Sequence, residues 1–251
     1  MEGVSIVVIT LNEEHNLPHI LGDLENQTMK NFEVIVVDSK STDSTTEIAR
    51  SFLNRLSMQV VVMPDRGVSL GRNKGASLAR NERILFLDAD TRLDPDFLEK
   101  AVSELQTRQL HVAGIYLKCR DTHFLCTIGI QAFNAGFWIG QRVFPMATGG
   151  CLFTTRTAHA IVGGFDESIV LCEDCDYVRR ASKEHGVSFG MLRQSCYFHP
   201  RRLEQDGILR TGWTYIRANL HRLFVGELYG NPYLYRFGHY DNSIEAVNDD
   251  A

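Results

Sequence analysis

Ile6, Val7, Val8 and Ile9 follow one another without a break, and the run that holds them, Val4–Thr10, closes on the polar residues Thr10, Asn12 and Glu13. Short β-branched runs of the same kind recur at residues 33–38, 59–63 and 83–87, each bounded by turn or cap residues, and they predict strands. Between them the apolar positions shift to helical spacing. Leu17, Ile20, Leu21 and Leu24 mark one helix face. Ile48, Phe52 and Leu53 mark another, which Ser44-Thr45-Thr46-Glu47 opens as a capping box, and residues 67–80 supply a third. Helices of this length between strands imply a mostly parallel sheet with right-handed crossovers. The second half alternates less cleanly. Val112–Cys119 and Cys151–Thr155 read as strands, 173–185 as a helix, 191–198 as strands and 208–229 as an amphipathic helical tail. The fold class is therefore α/β, with helices on a mostly parallel central sheet, a Rossmann-like N-terminal half and a helical C-terminal tail.

Composition narrows this picture in three ways. Of 251 residues, 44% are hydrophobic and 23% charged, which suits one compact domain and confines predicted disorder to residues 248–251. The net charge of −5, with no basic block, argues against a nucleic-acid binder. An anionic ligand must be met locally, by a metal or a few arginines. No positively charged leader precedes the first strand, so the expectation is a cytoplasmic protein with free thiols. The uncharged stretch Phe124–Gly140 falls short of a membrane-spanning length, contains Gln131 and Asn134, and reads as buried or interfacial.

In parallel sheets, ligands bind beyond the carboxyl ends of the strands, and here those ends are polar: Thr10-Leu11-Asn12-Glu13, Asp38-Ser39-Lys40-Ser41 and Asp88-Ala89-Asp90. In extended chain the Asp88 and Asp90 side chains project to one face, where both can address one divalent cation. Hard oxygen ligands favour Mg²⁺ or Mn²⁺ over zinc. An isolated Asp-x-Asp also reads as a solvated acidic turn, but the apolar strand before this one and the polar residues at the other strand ends favour the cation. Asp38 either accepts a hydrogen bond from a nucleobase or caps the following helix, a task Asp43 and Ser44 can also perform. Arg66, Arg72 and Lys74 balance a diphosphate or form a solvated helix face. Glu173-Asp174 supply a general base or simply complement a helix dipole. Cys172-x-x-Cys175 and Cys196-x-x-His199 have the spacing of a zinc knot, and His199 alone reads as an added ligand to the Asp90 cation or as a satisfied histidine.

Taken in order, the motifs Val8 to Glu14, Val36 to Thr45, Arg66-Gly67 with Gly71-Arg72-Asn73-Lys74-Gly75, Phe86 to Asp90, Gly163 to Glu167, and Glu173-Asp174 make the chain resemble the family 2 glycosyltransferases from about residue 4 to 202. The resemblance implies the A-type glycosyltransferase fold. It also implies a metal-dependent, inverting, hexosyltransferase-type enzyme that moves one sugar from a UDP- or GDP-sugar to an acceptor hydroxyl. By that resemblance Thr10, Asn12, Glu13 and Asp38, with Leu11, Ser41 and Ala89 beside them, contact the donor nucleoside. Arg72 lies near the diphosphate, Asp88 holds ribose or sugar hydroxyls, and Asp90 binds the metal. Asp174, the second member of the acid pair, is the base in preference to Glu173. Lys40, Arg66, Lys74, Gly149, Gly150, Arg201 and Arg202 stand as further candidate contacts to diphosphate or acceptor.

The implied organisation is one catalytic domain over 1–205, with a nucleotide-binding half at 1–110 and an acceptor and base half at 111–205, followed by a helical extension over 206–247. Two departures from the family pattern matter. Lys40 replaces a common glycine, which implies either an altered turn or an added charge in the donor site. The Gln-x-x-Arg-Trp motif of chain-polymerising relatives is missing, which favours single transfer in polysaccharide, glycolipid or protein-glycan assembly. The rival readings are a sugar nucleotidyltransferase, whose glycine-rich phosphate loop is not found after the first strand, and a non-catalytic nucleotide-binding scaffold. The tail aromatics Trp213, Tyr215, Phe224, Tyr229, Tyr233, Tyr235 and Phe237, with Arg210, Arg217, Arg222 and Arg236, fit helices that pack on the domain or on a second subunit. They also fit peripheral contact with the inner face of a membrane that carries a lipid-linked acceptor.

Overall fold

The computed structural model describes residues 2–119, 124–141, 144–169, 171–198 and 208–229. Seven strands form one sheet: β1 Val4–Thr10, β2 Phe32–Asp38, β3 Met58–Val62, β4 Arg83–Asp88, β5 Val112–Cys119, β6 Cys151–Thr155 and β7 Phe189–Phe198, in the order β3-β2-β1-β4-β6-β5-β7. β3, β2, β1 and β4 are mutually parallel. β6 runs antiparallel to both β4 and β5, and β7 runs parallel to β5 with a register shift between Gly114 and Tyr116. The chain steps outward from β1 to β2 and β3, then returns to place β4 on the other side of β1. That reversal makes the gap between β1 and β4 the switch point of the sheet. Register aligns the strand ends there, with Thr10 opposite Asp38 and Ile9 opposite Asp88.

The unbroken aliphatic runs are explained by burial on both faces of the sheet. Val4, Ile6 and Val8 point to one side, against α1 (Leu17–Glu25), α2 (Thr45–Ser51) and α4 (Phe97–Arg108). Val7, Ile35 and Val37 point to the other, against α3 (Val68–Leu78), α6 (Arg156–Val162) and α7 (Glu173–Ala181). Two further helices, α5 (Phe124–Gly140) and α8 (Ile208–Phe224), complete the described chain.

Several local expectations change. The box at Ser44 does not form, because Ser44 makes no side-chain cap bond. Instead the Asp43 carboxylate accepts from Thr45 N at 3.0 Å and Thr45 Oγ1 at 2.5 Å, while Glu47 accepts from the Thr46 hydroxyl. A carboxylate two residues ahead of α2's first turn outcompetes the serine. The helix expected over 173–185 stops at Ala181, where the Ser182 hydroxyl donates to Val178 O and left-handed Gly186 turns the chain. The strands expected over 191–198 are one strand, β7, that starts at Phe189. The tail helix ends at Phe224, and Tyr233, Tyr235, Arg236 and Phe237 lie outside the described residues.

One contact fixes how closely α3 approaches the sheet. A Cβ on Gly75 would stand 2.2 Å from Val7 Cγ1 and 2.9 Å from Cγ2, so only glycine lets the helix backbone rest on β1. Gly75→Ala overpacks this contact and is expected to cost roughly 1–3 kcal/mol. The melting temperature in calorimetry should then fall by roughly 2–4 °C for each kcal/mol lost. A variant that melts with the wild type contradicts the close approach.

Candidate active site

β4 delivers Asp88 to the switch point and ends there. Thr91 N donates to Asp88 O, which folds Ala89-Asp90 into a turn, so the two aspartates share a turn instead of one face of an extended strand. Because β6 runs antiparallel beside β4, the loop that leads into it passes directly over the β4 end. Asp88 N and the Thr91 hydroxyl both donate to Gly150 O, at 3.2 and 2.9 Å.

Beneath that loop lies Arg72 of α3, 2% exposed. Its Nη1 donates to Glu173 Oε1 at 2.6 Å and its Nη2 to Asp88 Oδ1 at 3.0 Å, and its guanidinium sits 5.2 Å from the Phe165 ring centroid. A Cβ on Gly149 would come within 2.4 Å of Nη2, so the glycine is what allows the loop to close over the arginine. Arg72, expected beside a diphosphate, is thus a buried bridge between the end of β4 and the start of α7. Its Nε and the Ser69 hydroxyl, one turn earlier on α3, are buried donors without a partner among the described residues. Lys74, two positions on, points to solvent, so Arg72 and Lys74 do not converge.

α7 begins at Glu173, preceded by Cys172 in the left-handed region at φ 63°. Asp174 is half-buried; its Oδ2 accepts from Gly149 N and its Oδ1 from Cys175 N, both at 2.6 Å. Glu173 is buried. Burial is the main reason its pKa is pushed up to about 7; the Asp174 charge adds to the rise and Arg72 opposes it. Arg72 stays above the ordinary arginine value although burial lowers it, because Asp88 first, then Glu173 and Asp174, hold its charge. Asn73, overlooked at the sequence level though it sits inside the Arg72-Asn73-Lys74 motif, exchanges bonds with Phe165 N and O at 2.8 and 2.9 Å and donates to Glu167. It locks the Gly163 to Glu167 loop onto α3. Gly164 is needed there, since its φ is +75° and a Cβ would meet Asn73 Oδ1 at 2.8 Å.

On the other side of the switch point, Asp38 is fully buried. It accepts from the Thr10 hydroxyl (2.9 Å), Ser41 N (2.9 Å) and the Ser41 hydroxyl (2.5 Å). It therefore ties the β1 and β2 ends together, and it does not cap α2. Asn12 N donates to Ser41 Oγ, and Asn12 Oδ1 accepts from Thr42 N, each at 2.8 Å. Glu13 N donates to Thr45 Oγ1, while the Glu13 carboxylate accepts from Asn16. Leu11 and Asn12 remain partly open. Lys40 has φ +64°, in the region that favours glycine, so a glycine-type turn is kept and the exposed lysine carries the strain. Among the described residues the exposed Arg66 reaches only Lys40 O, at 3.5 Å.

The zinc knot does not assemble. Cys196 is buried in the cluster that holds Cys151, whereas Cys172 and Cys175 pack with Leu171, Ala218 and Leu228. No group of three metal-binding side chains occurs among the described residues. His199, Arg201 and Arg202 lie outside them. The cluster around Cys172 and Cys175 is also where α8 docks. Arg222 is buried against Glu227 (2.6 Å), Glu227 also accepts from Arg179 of α7 (2.9 Å), and both arginines lie 5.4 Å from the Phe144 ring centroid.

Comparison with known proteins adds the following. The model of the family described as Glycosyl transferase family 2 matches residues 5–160. The minor teichoic acid biosynthesis protein GgaA of Bacillus subtilis (strain 168) is 25% identical over 256 residues, covering 94% of this chain and 55% of that protein. Among solved structures, S. aureus TarS 1–349 superposes with a TM-score of 0.66 at 21% identity, covering 89% of this chain and 72% of that one. The mannosyltransferase PcManGT from Pyrobaculum calidifontis, in complex with GDP-Man and Mn²⁺, gives 0.65 at 22% identity, covering 86% and 64%. The chain spans between about a quarter and about half the length of the curated relatives it matches.

Two outcomes follow from the buried bridge. Arg72→Met leaves Glu173 without its partner and is expected to cost about 3–5 kcal/mol in urea denaturation. Arg72→Lys restores the charge but not the two-pronged reach, and should recover only part of the loss. The second outcome concerns pH. A carboxyl whose pKa is higher in the folded chain holds its proton more tightly there, so Glu173 contributes most stability below pH 4.5, and this is lost as pH rises through about 7. Without added metal, wild-type stability should therefore decline relative to Glu173→Gln across that window. A constant difference between the two contradicts the assignment.

Proposed function

The chain belongs to glycosyl transferase family 2, and from that premise we propose that it moves one sugar from a nucleoside diphosphate to an acceptor hydroxyl, with inversion at the anomeric carbon. It is a glycosyltransferase with a mostly parallel, A-type glycosyltransferase fold. The observation that carries the finer reading is the Arg72 bridge. It holds a strand-end aspartate of the first half and the acid pair of the second at one edge of the sheet. A transferase needs donor and acceptor groups fixed relative to each other to within a fraction of an ångström, and a buried two-pronged ion pair supplies that rigidity.

The donor side is the rim formed by Leu11, Asn12 and the 38–41 turn, with Thr10, Glu13 and Asp38 bracing it from below. Asp88 and Asp90 offer hard oxygen donors in one turn. Mg²⁺ and Mn²⁺ sites of this class take one or two carboxylates and complete their shell with substrate phosphates, so this donor set fits such a cation. When bound, the cation offsets charge on the departing nucleoside diphosphate. The Mn²⁺ and GDP-Man in the PcManGT structure support this reading.

Asp174 is the base. Each of its oxygens accepts one backbone N–H and keeps a lone pair for the acceptor hydroxyl, and the two N–H groups fix its direction. The acceptor oxygen bonds to the anomeric carbon as the bond from that carbon to the diphosphate oxygen breaks. The hydroxyl proton passes to Asp174. Glu173 is held inward by Arg72 and does not compete for it. We place this work on the cytoplasmic side, in the assembly of a surface glycan. The name of GgaA, a minor teichoic acid biosynthesis protein, supports the glycan-assembly part of that reading.

Asp174→Asn should lower kcat for transfer by about 10²- to 10⁴-fold while donor binding persists. Thermal shift with Mn²⁺ and a panel of UDP-, GDP- and dTDP-sugars measures the binding, and nucleotide release in the presence of acceptor measures the turnover. Unchanged turnover in the variant favours a non-catalytic scaffold or another base. Stabilisation by nucleoside triphosphates with sugar phosphates in place of any nucleotide sugar favours the nucleotidyltransferase reading.

A further inference from the structure

Cys172-x-x-Cys175 brackets the acid pair, and the proposed reaction does not use it. Cys172 stands at the cap position of α7 without capping it, in the left-handed region at φ 63°. Capping favours serine or aspartate and a left-handed backbone favours glycine or asparagine, so neither task asks for cysteine there. Packing with Leu171, Ala218 and Leu228 asks only for a small apolar side chain. The Cys172 thiol is instead in hydrogen-bonding contact with that of Cys175, one helical turn on. Asp176 N closes this turn by donating to Cys172 O at 3.0 Å. Cα atoms one such turn apart are separated by roughly 5–6 Å, the span of a disulfide.

Cys151 and Cys196 are a second touching pair, and the two pairs differ in what a reacting thiol needs. Cys151 and Cys196 are 0% and 2% exposed, and the charge beside Cys151 is the Asp88 carboxylate. Cys172 and Cys175 each keep 7% of their surface open, an entry for a small oxidant only. The Arg222 guanidinium of α8, although paired with Glu227, lies close enough to both sulfurs to interact with their charge. A cation beside a thiol favours the reactive thiolate, and an anion opposes it. At Cys175 the Cys172 thiol, burial and Asp174 outweigh Arg222 and push the thiol well above its ordinary value, so Cys175 keeps its proton. Cys172 is therefore the first of the two to react. Cys175 is also tied to the site, because its thiol donates to Ala147 O at 3.3 Å, in the loop whose Gly149 N donates to Asp174.

We propose that Cys172 and Cys175 are a redox pair, which a hydroperoxide oxidises to a disulfide that slows transfer. The hydroperoxide gives its terminal oxygen to the Cys172 sulfur, which becomes a sulfenic acid, and the rest departs as water or an alcohol. The Cys175 sulfur then attacks the Cys172 sulfur. The S–S bond forms as the S–O bond breaks, and the hydroxyl leaves with the Cys175 proton as water. A disulfide has no S–H, so Ala147 O loses its donor and the loop that aims Asp174 loses one of its ties. The effect on turnover rests on Asp174 as the base, whereas the bond itself does not. Failure to form the bond and failure to transfer are thus separate results.

The full chain, reduced and then freed of reductant, is treated with hydrogen peroxide, alkylated and cut with trypsin. Residues 157–179 form one tryptic peptide that carries both cysteines and no other. The expected result is that this peptide escapes alkylation and is lighter by the two thiol hydrogens. With it, kcat for transfer should fall about fivefold, the worth of one hydrogen bond, while donor binding persists. Dithiothreitol should reverse both changes. Cys172→Ser should keep its turnover and lose its response to peroxide, and Cys175→Ser, whose hydroxyl still donates to Ala147 O, should form no bond and keep its turnover before oxidation. A treated wild type whose 157–179 peptide carries two alkyl groups overturns the proposal. So does a bond that leaves kcat unchanged, or a loss of kcat that persists in both serine variants.

Discussion

A cation with no access to water is tolerable only when anions surround it, and Arg72 is surrounded on terms that shape the whole site. Its two prongs end on residues from opposite halves of the chain, Asp88 at the tip of β4 and Glu173 at the first turn of α7. Desolvating the guanidinium and the glutamate is costly, and their attraction offsets this only in well-formed geometry. The bridge therefore tolerates little displacement of either partner. Gly149 must lack a side chain so that the loop can pass over the guanidinium, and that loop in turn donates to Asp174. Strand tip, loop and helix start are thus held as one body.

Around that body the two sides are braced by different means. The rim formed by residues 11–12 and 38–41 is held by hydroxyls and a backbone amide converging on Asp38 and by the bond from Glu13 N to the Thr45 hydroxyl oxygen, groups that lock the loops from below. On the other side α7 is held from behind. Arg180 donates to Val162 O and Gly164 O and pairs with Asp176, Asn73 clamps the adjoining loop, and α8 packs Ala218 and Leu228 against Cys172 and Cys175. α8 is accordingly part of the packing that supports Asp174.

Much of this was legible in the residues because it depends on local pattern. Aliphatic runs bounded by polar residues located the first four strands to within a residue or so, and register then put Thr10, Asp38 and Asp88 at one edge. What the sequence concealed depends on distant partners or on backbone direction. Nothing near Arg72 reveals that its partner lies 101 positions away, so a buried bridge looked like a diphosphate contact. The Asp-x-Asp spacing suggested alternation along a strand, yet the bond from Thr91 N to Asp88 O turns the chain there. Asp38 looked available because spacing cannot tell an open carboxylate from one spent on Thr10 and Ser41. The cysteine spacing imitated a metal knot, while the sheet sends Cys196 into a different cluster from Cys172 and Cys175.

The most direct measurement is crystallographic: the chain crystallised with Mn²⁺ and an intact nucleotide sugar, with data collected at a wavelength where manganese scatters anomalously. The expected result is an anomalous peak against the Asp88-Ala89-Asp90 turn, the diphosphate bound to it, the anomeric carbon facing Asp174, and Arg72 still bridging Asp88 to Glu173. A nucleotide bound away from the β4 edge, or an Arg72 that leaves its two acids to grip the phosphates, would contradict this arrangement.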